Sequence, residues 1–327
     1  MADAASHFQN PDRNLALELV RATEAAAIRA VPFIGRGDKN GADGAAVNAM
    51  RTFLATVEFA GVIVIGEGEK DKAPMLFNGE QVGTGNGPAT DIAVDPIDGT
   101  SLTAAGRQNA ISMIAAADRG SMLDAHTVFY MDKIVAGPEG VGVIDIRKPV
   151  GENIRALAKA KGKDVEEMLV GVLDRPRHEQ LIADIRAAGA GTRLMLDGDV
   201  AGGINAASYE GRLDMCVGTG GSPEGVATAC AIKALGGVIQ TILAPKTDEE
   251  RQKGLDAGLK FDHVYEAAEL VTSDNTFFVA TGVTDGMLVR GVQRKGPIIR
   301  TESIVLRSHS GTIRRITADH LVSKWLD

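Results

Sequence analysis

Asp95-Pro96-Ile97-Asp98-Gly99-Thr100 brings two carboxylates, a tight glycine turn and a hydroxyl together within six residues. The apolar run Ile92-Ala93-Val94 before it reads as a strand, so the string falls at a strand's C-terminal end. Carboxylates this close repel one another unless a cation compensates them, and a hard divalent ion is their natural partner. Ser101-Leu102-Thr103-Ala104-Ala105 reads as a helix opening, whose free N–H groups favour an anion. Cation on one side and anion on the other suits metal-assisted hydrolysis of a phosphate ester, although Asp-Gly alone also makes turns.

Further acids fall at predicted element ends: Asp38 and Asp43, then Glu67, Glu69 and Asp71, then Glu224 opening a helix. Each has a simpler reading. Asp43 can cap a helix starting at Gly44, Glu67 and Glu69 can be solvated turn residues, and Glu224 suits a helix dipole by about 0.3–1 kcal/mol. Four clusters on one edge of an α/β architecture nevertheless supply the oxygen ligands that Mg²⁺ or Mn²⁺ takes.

These residues need elements to hold them. A helix is expected over 14–30, ended by Pro32, then a charged, glycine-rich loop over 35–44. In the next helix Val47, Met50, Leu54 and Val57 form an apolar stripe. Val62-Ile63-Val64-Ile65 reads as a buried strand, Asn78-Gly79 as a hairpin turn, and 110–116, 128–136 and 141–146 as further strands. The first half is therefore expected to pack helices on a mostly antiparallel sheet. Helices and strands then alternate from 152 to 243, which predicts a mostly parallel sheet with ligands beyond the strands' carboxyl ends. Residues 174–178, 197–199 and 218–224 fall there. Residues 246–260 read as an exposed helix-loop insertion, and the last sixty as strands and hairpins.

A chain of 327 residues accommodates two domains or lobes: a tail over 1–13, a metal- and phosphate-binding α+β unit over 14–150, and an α/β substrate-binding unit over 151–327. The net charge of −8 argues against nucleic acid or anionic membrane as partner, but not against a phosphorylated substrate beside a local cation. Cys216 and Cys230 lack CxxC spacing, so buried thiols in a reducing cytoplasm are expected rather than a disulfide or zinc site. No apolar stretch reaches the roughly 18–20 residues of a membrane span, and residues 1–11 lack the order of a signal peptide. A nucleotide-binding loop is not expected either, because GxxxxGK[ST] is missing and the glycines near Gly218 do not fit GxGxxG.

The chain resembles the class II (GlpX-type) fructose-1,6-bisphosphatases of the lithium-sensitive phosphatase superfamily. The resemblance rests on Gly35-Arg36-Gly37-Asp38-Lys39, Ala42-Asp43-Gly44-Ala45-Ala46-Val47, Ile65-Gly66-Glu67-Gly68-Glu69, Ala73-Pro74-Met75-Leu76 and Asp95 through Thr100. It continues through Pro176-Arg177-His178, Asp197-Gly198-Asp199-Val200-Ala201, Pro223-Glu224-Gly225 and Ala280-Thr281-Gly282-Val283-Thr284, in family order. It implies a layered αβαβα sandwich that hydrolyses the 1-phosphate of fructose-1,6-bisphosphate with Mg²⁺ or Mn²⁺, as a cytoplasmic homo-oligomer (dimer or tetramer).

Position by position, the resemblance implies Asp43, Glu67, Asp95, Asp98 and Glu224 as metal ligands. It assigns Asp98, Gly99 and Thr100 to the reacting phosphate. Tyr130, Arg175, Pro176, Arg177, Asp197, Gly198, Asp199 and Gly221 fall on the rest of the sugar bisphosphate. Two positions depart from many members, Asp98 for Glu and Arg175 for Lys, and both bear on metal preference and substrate ranking. Chemical reasoning adds Thr100 to orient the attacking water, with Glu69 or Asp38 assisting and Lys39 on the phosphate or a neighbouring carboxylate. Arg177 can grip a phosphate in a two-point fork or pair with a helix carboxylate. His178 is expected to orient its loop, and Tyr130 to pack in the core or touch the sugar. A haloacid-dehalogenase-type phosphatase is disfavoured, since its two aspartates lie two apart and Asp95 and Asp98 lie three apart.

Overall fold

The structure, a computed structural model, describes residues 15–67 and 75–325. The expected tail over 1–13, and Glu69 with Asp71, lie outside the described residues. The first elements are α1 (Leu15–Ala30), α2 (Lys39–Leu54), β1 (Ala60–Ile65), β2 (Gln81–Val82), β3 (Ala89–Asp98), α3 (Thr100–Ala104), β4 (Ile111–Asp118) and β5 (Tyr130–Ala136). Then come α4 (Val150–Lys161), β6 (Leu169–Leu173), α5 (Glu179–Ala187), β7 (Gly191–Met195), α6 (Asp199–Ala207), β8 (Met215–Gly221), α7 (Ser222–Leu235) and β9 (Val238–Leu243). The last are α8 (Asp248–Asp256), β10 (Tyr265–Glu266), α9 (Ala267–Leu270), β11 (Thr276–Gly282), β12 (Gln293–Lys295), β13 (Ile298–Arg307), β14 (Thr312–Leu321) and α10 (Val322–Trp325).

Two sheets result. The first runs β12-β13-β11-β4-β3-β1-β2 with β14 also on β13, and the second runs β10-β9-β5-β8-β6-β7. Side-chain alternation decides what each face covers. Phe277 and Val279 of β11 point into a core with Leu19 and Ala26 of α1 and Val47, Met50 and Leu54 of α2. Phe278 and Ala280 point the other way, toward Val226 and Ile232 of α7 and Ile204 of α6. That inner core continues into Met131 and Val135 of β5, and beyond the second sheet Ile154 and Leu157 of α4 and Ile185 of α5 cover Ile134, Val170 and Val172. The layers are thus helix, sheet, helix, sheet, helix, the expected αβαβα sandwich.

Three details depart from expectation. Residues 141–146 form turns, not a strand. Helix α2 begins at Lys39, five residues before Gly44, because the Asp38 side chain accepts the Gly41 N–H at 2.8 Å and caps it there. The second sheet is mixed: β6 pairs parallel with β7 and β8, whereas β5 pairs antiparallel with both β8 and β9. Strands β6, β7, β8 and β9 do share one direction, as the helical alternation requires. It is β5, inserted between β8 and β9, that breaks the parallel pairing. One strand from before residue 150, β5, thus enters the second sheet, and β11 to β14 complete the first.

Candidate active site

Asp95 pairs with Met113 and Asp98 with Ile111, so three steps along β3 match two along β4. In a regular strand, residues three apart point to opposite faces. The extra residue makes a bulge that turns both carboxylates to the inner face, beside Met113 and Ile111. Ile97 points outward into the α1–α2 core. Pro96 fits the bulge, where no ladder N–H is demanded. Gly99 then takes the left-handed conformation (φ +94°) that starts α3, a single turn of five residues, and Thr100 Oγ1 donates to Ile97 O at 3.0 Å.

With Asp38 as the cap, Asp43 sits on the second turn of α2, free of the capping role considered for it. Glu67 follows β1, its N–H held by Leu76 O at 2.9 Å. Glu224 lies in the first turn of α7. Asp43, Glu67, Asp95, Asp98 and Glu224 line one cavity of about 370 Å³, with Gly99, Thr100 and Asp197 on its wall.

The electrostatics of this cavity are those of anions crowded without compensation. Burial and the Asp43 charge push Glu67 up to about 7. Asp95 is raised well above the usual carboxylate range, by burial first and then by Asp98, Glu67, Glu224 and Asp43. Burial and then Asp199 raise both Asp98 and Glu224, against the lowering effect of Lys133. Asp98 Oδ2 and Glu224 Oε2 are buried with no hydrogen-bond partner. Oxygens left this way call for a ligand, and an all-carboxylate set suits a hard divalent cation. Among the described residues, no three such side chains are already gathered into a metal-holding group.

Of the polar clusters of the second sheet, Asp197 lines this cavity. Arg175 reaches Asp197 at 3.6 Å, and the Lys39 charge, at the start of α2, is felt at Asp197 as well. Gly198, in the left-handed region, precedes Asp199 at the first position of α6. Pro176 opens a short turn that carries Arg177 and His178. Arg177 donates through Nε and Nη2 to Thr219 O at 3.1 and 2.8 Å instead of pairing with a helix carboxylate. His178 is buried, donates from Nδ1 to Leu173 O at 2.8 Å and accepts the Thr219 N–H at Nε2, also at 2.8 Å. With both nitrogens engaged and burial lowering its pKa, His178 orients its loop and is no base. Tyr130 is half-buried at the edge of this cluster, with Arg177 Cζ 5.2 Å from its ring centroid.

Three residues that border this site were not singled out in the sequence. Lys246 Nζ lies 4.0 Å from the Tyr130 centroid, so two cations flank one ring. Phe129, 61% exposed, lines the cavity beside Glu224. Lys133, in mid-strand β5, is buried and meets Asp199. A signal existed for the last: a lysine inside the apolar run 130–136. Lys246 carried none, since it stood among many charges.

Gly221 explains how Glu224 is held. A β-carbon there would lie 1.8 Å from Glu224 Oε2, although the backbone (φ −64°) would accept alanine. Gly221→Ala is therefore expected to displace the Glu224 side chain, cutting kcat at least about tenfold while shifting stability by about 1 kcal/mol or less. Assay and thermal melt of the variant test this, and unchanged kcat would show that the Glu224 position is not critical.

Residues 13–320 match the family of glpX-encoded bacterial fructose-1,6-bisphosphatases. The chain belongs to this family. It is 45% identical over 322 residues to a class 2 fructose-1,6-bisphosphatase of Haemophilus influenzae, covering 94% of this chain and 96% of that one. It is 44% identical over 325 residues to fructose-1,6-bisphosphatase 1 class 2 of Escherichia coli K12, covering 95% and 96%. Family membership and the acid-lined cavity agree on a phosphatase, and no helix among the described residues is long and apolar enough to cross a membrane.

Proposed function

We propose that this chain hydrolyses the 1-phosphate of fructose-1,6-bisphosphate, releasing fructose 6-phosphate and orthophosphate. The observation that carries the reading is the bulge in β3, which turns Asp95 and Asp98 to one face, in one cavity with Glu67 and Glu224, in a chain of this family. Asp43, Glu67, Asp95, Asp98 and Glu224 would hold Mg²⁺ or Mn²⁺. When bound, the cation supplies charge neutralisation on the phosphoryl group and an acidified water.

The chain's own groups do the rest. Because the Thr100 O–H is committed to Ile97 O, Oγ1 is left as an acceptor, suited to holding a water by its proton with a lone pair toward phosphorus. Lys39 is placed to neutralise charge near Asp197, and Asp38, tied into the helix cap, serves by fixing that end of α2. Arg175, Arg177 and Tyr130 form a basic, partly aromatic rim suited to the distal phosphate, and Asp197, Asp199 and Gly221 face the sugar hydroxyls. Both cysteines are free and buried, in keeping with a cytoplasmic enzyme, and a homo-oligomer (dimer or tetramer) belongs to the same reading.

Phosphate release from a substrate panel tests the assignment. Fructose-1,6-bisphosphate should be cleaved faster than sedoheptulose-1,7-bisphosphate and inositol monophosphate, with activity lost in chelator and regained with Mn²⁺ or Mg²⁺. Faster cleavage of inositol monophosphate would overturn the substrate, and full activity in chelator would overturn the metal.

A further inference from the structure

Lys133 is out of place by the ordinary rules of a strand. Its neighbours on the same face of β5, Met131 and Val135, are apolar and belong to the inner core. A buried ammonium is costly, and replacing a buried ion pair with apolar side chains is often neutral or stabilising, so the fold alone has no need of this charge. What the lysine touches lies at the ligand end of the sheet. Nζ donates to Gly221 O at 2.9 Å and meets Asp199 Oδ2 at 2.5 Å.

The two contacts have different characters. Gly221 O belongs to backbone fixed by the β5–β8 ladder, in which Tyr130 pairs with Gly221, so it is a rigid anchor. Asp199 is the first residue of α6, and its ion-pair partner is Lys133. Asp199 Oδ2 is buried and has the Lys133 ion pair but no hydrogen-bond donor. A buried carboxylate fixed by one ion pair and lacking a hydrogen-bond donor is a pre-set acceptor for a hydroxyl. The ion pair also offsets a negative charge that Asp98 and Glu224 both feel.

Building on the proposed bisphosphatase activity, we infer that Lys133 is a positioning residue, anchored on Gly221 O, that holds the Asp199 carboxylate where it meets a hydroxyl of the sugar. Neither Lys133 nor Asp199 is on the wall of the acid-lined cavity. Both line a small cavity with Gly218 and Thr219, and of the pair it is Asp199, two residues from Asp197 on that wall, through which the lysine acts.

A kinetic double-mutant cycle on the metal-loaded enzyme tests this with fructose-1,6-bisphosphate as substrate. Lys133→Met should raise KM about tenfold with a smaller fall in kcat, and the thermal transition should stay cooperative. In an Asp199→Asn background the same substitution should change KM less than threefold, because the group it positions has already lost its charge. Equal losses in both backgrounds, or KM within twofold of wild type for Lys133→Met, would overturn the inference. Should Lys133→Met fail to fold because it strands the Asp199 charge, the comparison of Asp199→Asn with the double variant carries the test. Matching KM values there support positioning, and a further tenfold loss refutes it. Wild-type turnover is the control: if the bisphosphate is not cleaved at all, the proposed function has failed, whatever the lysine does.

Discussion

Asp95→Asn is expected to lower kcat on fructose-1,6-bisphosphate by roughly 100- to 1,000-fold, the scale seen when a preorganised electrostatic group is removed from a reacting centre. The amide has the shape of the carboxylate, so packing is unchanged and the Ile97 N–H can still donate to Oδ1, now at 3.0 Å. What disappears is the negative charge at the centre of the cluster, the one that interacts with Asp98, Glu67, Glu224 and Asp43 together. The same loss relieves repulsion, so the metal-free variant should melt at or above the wild-type temperature. This opposition of activity and stability separates a functional carboxylate from a structural one. Turnover above a tenth of wild type would remove Asp95 from the catalytic set, and a lower metal-free Tm would make it a structural group.

The metal-free protein should lose stability as pH rises from about 5 to 8, and added Mn²⁺ should restore it with an increment that grows with pH. The sign follows from the direction of the shifts. Glu67 is raised from 4.5 to about 7, so the folded state binds its proton more tightly than the unfolded chain. Stability from this group is complete below the unfolded value and is lost as pH climbs through the folded one, a loss on the order of 2 kcal/mol for such a partly screened site. Asp95, Asp98 and Glu224 are raised too and push the same way. A cation competes with those protons, so its affinity increases as they leave. Thermal melts in chelator and in excess Mn²⁺, from pH 5.5 to 8.5, check both halves. A metal-free Tm that climbs toward pH 8, or a metal increment independent of pH, would contradict the crowded-anion description.

How much of this was legible in the residues depended on whether the signal was local. Val62–Ile65 announced β1, Pro223 and Glu224 announced α7, and Asp95 through Thr100 announced its own turn, because each is decided within a few neighbours. Asp43 misled as a candidate cap for a helix starting at Gly44, since the Asp38 contact with the Gly41 N–H that starts α2 five residues earlier was not anticipated. The bulge was beyond sequence reasoning, since the pairing of Asp95 with Met113 and Asp98 with Ile111 is fixed by β4, not by β3. The same holds for β5, whose place between β8 and β9 no periodicity encodes. Lys133 could be noticed as a lysine within its strand, but its partners Asp199 and Gly221 could not, since they lie far along the chain.

The placement of β11 bears on how this enzyme comes into being on the ribosome. Strand β4, which backs the bulge, has β11 on its other edge, and the Ala110 N–H is closed by Thr284 Oγ1 at 3.0 Å, 174 residues later. The first sheet therefore stays open through most of synthesis, with β4 presenting an unpaired edge until the last strands emerge. Long-range pairing of this kind folds slowly and leaves nascent chains prone to association. The carboxylates at the end of β3 thus acquire their final geometry only after translation has passed β11, so ribosome-bound chains shorter than this should hold no catalytic pocket.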